Sequence, residues 1–97
     1  MDIRIRRENN ATVFELSGNI DDAGACELEN VFDNELQKGI DRLVFDLSYL
    51  ENLSEAGLRT LFKAHKRTNG NAIIRNANSS IKEYFETTGF DSVFIFE

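Results

Sequence analysis

The chain has 97 residues, 41% hydrophobic and 29% charged, which fits one globular domain and excludes a disordered or fibrous class. Seventeen acidic residues against eleven basic ones leave a net charge of −6, which excludes nucleic acid as the expected partner because binding it needs lysine and arginine to replace phosphate counterions. No apolar run approaches the ~20 residues of a membrane span, and Cys26 alone allows no internal disulfide or zinc site.

The N-terminal residues do not read as a signal peptide, because charges interrupt any apolar stretch there. The expectation is therefore a cytoplasmic chain with no direct membrane insertion. With no proline, repeat or low-complexity stretch, residues 1–97 read as one domain.

Residues 3–7 alternate apolar and charged, which predicts an edge strand with Arg4, Arg6 and Arg7 in water. Asn9-Asn10 predicts a hairpin turn into a second strand over 12–17, where Val13 or Phe14 and Leu16 compete for the inner face and Gly18 ends the run. A helix follows, capped by Asp21 or Asp22. Ala25, Leu28, Phe32 and Leu36 form its apolar stripe, Cys26 is a partly buried filler beside it, and Lys38-Gly39 is the stop.

Residues 42–47 form a nearly continuous apolar run, the pattern of a parallel central strand covered on both faces. A second helix is expected from Ser54 to Asn69, with Gly70 as its stop. Leu58, Leu61, Phe62 and His65 form its stripe, and no nucleophile or motif accompanies His65 to make it catalytic. Residues 72–75 predict another strand, and Ser79 or Ser80 caps a third helix carrying Ile81, Tyr84, Phe85 and Thr88, ended by Gly89. Val93 to Phe96 is the closing strand. The predicted order ββαβαβα plus a short strand is an α/β (α+β) fold, a mixed sheet of four to five strands covered by three helices.

The six glycines never cluster into a phosphate-binding loop, and no histidine or cysteine set has metal-ligand spacing. No cofactor is expected, and the chain reads as a binding protein rather than an enzyme. The informative segment runs from Leu47 to Arg59, from the end of a buried strand into a helix. Small residues at 54, 56 and 57 let another surface approach the helix N-terminus, and unpaired N–H groups there attract anions. Asp46, inside the apolar strand, is expected to accept backbone hydrogen bonds at the strand end.

Phe45-Asp46-Leu47-Ser48, followed by Ser54-Glu55-Ala56-Gly57-Leu58-Arg59, resembles the signature of STAS domains, in particular the bacterial anti-sigma factor antagonists. Gly18-Asn19-Ile20-Asp21 resembles the Gly-x-hydrophobic-Asp element of that family, and Thr88-Gly89-Phe90-Asp91 with Val93-Phe94 resembles its closing helix and strand. The resemblance covers essentially the whole chain. It implies regulation of transcription by protein–protein binding: a serine at the start of the second helix is phosphorylated by a partner anti-sigma factor that is a serine kinase, and the phosphate weakens their complex. Some family members instead dock on transport machinery, so transporter subunits are the alternative partners.

The chain departs from the family at the acceptor. Alignment on Gly57 places Glu55 where the phosphorylated serine stands, with Ser54 before it and Ala56 after it. Either Glu55 supplies a standing charge, or phosphorylation has moved to Ser54, or the domain does not switch and its partner prefers Glu55. The expected partner surface is Asp21, Asp22, Ser54, Glu55, Ala56, Gly57 and Leu58. Ser54, Glu55 and Gly57 also suit an ordinary helix start, and Asp21 or Asp22 an ordinary cap.

Overall fold

A computed structural model describes residues 1–40 and 42–97. Among these residues the chain forms β1 (Asp2–Glu8), β2 (Ala11–Ile20), α1 (Asp22–Gln37), β3 (Leu43–Leu53), α2 (Glu55–Arg67), β4 (Ala72–Arg75), α3 (Ser79–Thr88), a 3₁₀ turn (Phe90–Ser92) and β5 (Ile95–Phe96). The strands make one sheet in the order β1-β2-β3-β4-β5, with β1 antiparallel to β2 and the remaining neighbours parallel. Asn9 and Asn10, at φ 48° and 67°, turn the β1–β2 hairpin, as two left-handed residues must in a two-residue turn that matches the strand twist.

Each parallel crossover advances one strand in the same direction across the sheet. Right-handed crossovers that never reverse leave every helix on one face, with no switch point at which a crevice opens. The core follows: Phe14, Phe45 and Ile74 from the sheet meet Phe32 of α1, Leu61 of α2 and Phe85 of α3 in one cluster. This corrects the expectation that β3 is covered alike on both faces. On the helix-free face Ala11, Val13 and Val44 form a small cluster of strand residues, bordered by Glu8, Arg75 and Glu97.

Charged side chains replace helices there. Arg6 reaches Glu15 at 3.6 Å and Asp46 at 3.5 Å, while Arg75 reaches Glu8 at 3.2 Å and Glu97 at 3.0 Å. These long side chains cover apolar surface with their stems while their charges stay in water. Arg6 and Arg7 of the basic N-terminal strand are therefore engaged within the chain, Arg7 with Glu35 and Thr12.

Several boundaries differ from the sequence expectation. β2 continues through Gly18 to Ile20, because Gly18 takes φ 83° without ending the ladder, and β3 runs on from Leu47 to Leu53. Asn78, not Ser79 or Ser80, caps α3: its side-chain oxygen accepts from the Ile81 N–H at 2.9 Å. Cys26 is exposed rather than a partly buried filler, since Ala25 and Leu28 carry the buried stripe of α1. The closing strand is shorter than 93–96, because Phe90–Ser92 curl into the 3₁₀ turn before Ile95 joins β4.

Candidate functional site

The carboxyl ends of β2 and β3 lie side by side and carry the two segments singled out in the sequence. Ile20 pairs with Leu53, and the Ser54 N–H donates to the Ile20 carbonyl at 2.8 Å, joining the two helix starts. One residue earlier the Asn52 side-chain amide donates to Asn19 Oδ1 at 2.7 Å. Asp21 and Ser54 thus follow directly on adjacent strands and each caps its own helix. The Asp21 carboxylate accepts from the Gly24 N–H at 2.7 Å, and the Ser54 hydroxyl oxygen accepts from the Gly57 N–H at 3.0 Å. Of the two aspartates, Asp21 is the cap; Asp22 is exposed in the first turn of α1.

Gly57 sets how close α2 comes to the sheet. A Cβ at this position would stand 2.7 Å from both Ile20 Cγ2 and Leu53 Cδ1, closer than side chains tolerate. The missing Cβ therefore lets the first turn of α2 rest on the end of the β2–β3 pair. Asp22 and Ala56 border one groove between α1 and α2, together with Cys26 and Arg59.

The seven residues of the expected partner surface do not share one exposure. Glu55 stands out into solvent, its side chain 71% exposed, and pairs with Arg59 one turn on at 2.5 Å. Asp21 and Asp22 are exposed, Ser54 and Ala56 half-buried, and Gly57 buried. Leu58 is a correction: at 1% exposure its side chain belongs to the core and supports the turn from beneath. Its place in the apolar stripe of α2, which the sequence showed, outweighs its place in the motif.

Asp46 lies farther back on β3, 6% exposed. Its Oδ1 accepts from the Ser48 N–H at 3.0 Å and the Ser48 hydroxyl at 2.6 Å, so it takes one backbone hydrogen bond as expected, but inside β3 rather than at the strand end, because the strand continues to Leu53. Burial alone would raise its carboxyl. The Ser48 hydroxyl and N–H, the Asn76 amide and Arg6 together outweigh that and hold it below its ordinary value of 3.8.

Between Asp46 and Leu53, β3 carries two more residues than the stretch of β2 it pairs with. Glu15 faces Asp46 but Ser17 faces Tyr49, and Gly18 faces Leu50 but Asn19 faces Asn52. Leu47 and Leu50 therefore turn the same way although three residues apart, both buried in the main core. Sequence reading missed Arg59 as the partner of Glu55, although the i,i+4 spacing signals such a pair. It also missed Asn78, which was hidden beside two equally good capping serines.

A family model for the STAS domain matches residues 2–97. The chain belongs to the STAS domain family. A protein of Bordetella bronchiseptica, BtrV, named as a candidate anti-sigma factor antagonist, is 33% identical over 82 residues, covering 81% of this chain and 71% of BtrV. The anti-sigma factor antagonist SpoIIAA in its unphosphorylated form superposes with a TM-score of 0.85 at 12% identity, over 99% of this STAS chain and 88% of SpoIIAA. SpoIIAA of Bacillus, a cell fate determinant, in its phosphorylated form gives 0.77 at 12% identity, over 99% of this chain and 91% of the other. The two SpoIIAA structures establish the shared fold. The chain is an anti-sigma factor antagonist-like STAS domain.

Proposed function

We propose that this STAS domain is an anti-sigma factor antagonist that acts in the cytoplasm and binds a serine-kinase anti-sigma factor without being switched off at residue 55. The contact surface is the exposed start of α2, Ser54, Glu55 and Ala56, with Asp21 and Asp22 at its rim. Leu58 and Gly57 hold that surface in place from below.

The observation that carries the reading is the Glu55–Arg59 pair at the family's acceptor position. A phosphoserine adds about −1.5 to −2 of charge, whereas a carboxylate adds one and lacks the third oxygen. Here even that single charge has a guanidinium beside it, so the turn presents far less negative potential than a phosphorylated one. Among the three readings of Glu55, this favours a surface that resembles the unphosphorylated, binding-competent state.

The test is titration of the purified chain with serine-kinase anti-sigma factors of its own cell, with and without ATP. Binding that ATP does not release, with no phosphate on the chain, is the expected result. Glu55→Ser restores an acceptor, and that variant becomes phosphorylated and dissociates. Phosphate on Ser54 of the unaltered chain, or capture of transporter subunits in place of any anti-sigma factor, overturns the reading.

A further inference from the structure

We infer that Asn78 is a positioning residue for the candidate site, holding the bulged end of β3 in the register that places the start of α2 beside Asp21. The inference rests on reading the Ser54–Ala56 turn as the partner surface.

β4 ends at Arg75, which pairs with Asp46, so the β4-facing edge of β3 has no strand partner beyond that point. The loop into α3 takes over. The Asn78 side-chain amide donates to the Leu50 carbonyl at 3.2 Å, while its oxygen accepts from the Ile81 N–H at 2.9 Å. A longer contact, Asn76 Nδ2 to Asp46 Oδ1 at 3.5 Å, ties the same loop to the start of the bulged stretch. Leu50 lies between the two register shifts, three residues before Leu53, after which the Ser54 N–H bonds to Ile20.

This stretch of β3 needs an external hold. Register is normally set by side chains alternating between a buried and a wet face, and two extra residues have broken that alternation. A slip of one residue displaces the strand by about 3.3 Å and carries Ser54 and Glu55 with it. Helix capping does not by itself call for asparagine at 78, since aspartate and serine cap equally well through their oxygens. Only the bond to Leu50 uses the amide nitrogen.

Two variants separate the roles. Asn78→Asp keeps the cap but turns an oxygen toward the Leu50 carbonyl, and Asn78→Ser keeps the cap without a donor that reaches it. Amide hydrogen exchange followed by NMR reads Ser54 and Gly57 against Ile81 and Gly24, with the dissociation constant for the anti-sigma factor measured in parallel. In both variants Ser54 and Gly57 are expected to exchange about tenfold faster, with Ile81 and Gly24 unchanged, and the complex to weaken comparably. Unchanged exchange at Ser54 and Gly57, or equal acceleration at all four amides, overturns the positioning role. Faster exchange at Ser54 and Gly57 alone with an unaltered dissociation constant supports that role and overturns instead the reading of this turn as the partner surface.

Discussion

Gly57 rests on Ile20 so closely that a methyl group would have no room: its Cβ would lie 2.7 Å from Ile20 Cγ2. Ile20 is buried at the end of β2, and its Cγ2 branches from a Cβ that stands only 3.4 Å from the same position, so it cannot swing aside. Gly57→Ala should therefore destabilise the domain by roughly 1–3 kcal/mol, even though alanine is the better helix former by about 1 kcal/mol. Urea unfolding should show a lower midpoint at unchanged slope.

Leu58 and Glu55 are three residues apart in the chain and opposite in role. Leu58→Ala opens a cavity beneath α2 and should lower stability by about 2–5 kcal/mol. Glu55→Ala removes a solvent-exposed side chain and should change stability by no more than about 0.5 kcal/mol. Thermal or urea unfolding of the two variants checks the contrast, and any loss of partner binding in Glu55→Ala is then a surface effect.

The Ser54 hydroxyl holds the first turn of α2 through the Gly57 N–H. Ser54→Ala should cost about 1 kcal/mol, whereas Ser54→Asp, which retains a capping oxygen, should stay within a few tenths of the unaltered chain. If chemical denaturation ranks the aspartate variant with the alanine one, the capping account of Ser54 is wrong.

Asp46 predicts an acid limb of stability. Its folded carboxyl lies below its ordinary value of 3.8, so the contribution is complete above that value and is lost as pH falls through the folded one. Asp46→Asn should flatten the pH dependence of stability below pH 4, with little change in slope near neutrality. A titration of unfolding free energy from pH 6 downward, on both proteins, reads this directly.

His65 is buried against Phe94, ring centroids 5.1 Å apart, and its Nδ1 has no hydrogen-bond partner among the described residues. A buried unpaired polar atom is destabilising, so His65→Phe, which keeps an aromatic ring and removes that atom, should raise stability by about 1 kcal/mol. A lower melting temperature in this variant would refute the account in which the unpaired Nδ1 costs stability.

The element order was readable because each element carries its own local signal. The 3- and 4-residue stripes of α1 and α2, the Asn9-Asn10 turn and Gly89 at φ 80° after α3 all act within a few residues of themselves. The second half of β3 was not readable for the same reason. Leu47, Leu50 and Leu53 recur every third residue, a spacing foreign to a strand, because two bulges turn them onto the helix side. The exposure of Cys26 depended likewise on which side of α1 met the sheet.

By itself the sequence determined the kinds of elements, their order, the Ser54 cap of α2, and a cap of α1 at either Asp21 or Asp22. These depend on backbone preference and on motif spacing, which are properties of neighbours along the chain. Only the tertiary structure decided that all three helices share one face, that Arg6 and Arg75 cover the other, and that Ile20 meets Ser54. It also decided that Asn78 reaches Leu50. Each of these joins residues far apart in the chain, and such contacts follow from the direction of the crossovers and the register of β3, which no local pattern encodes.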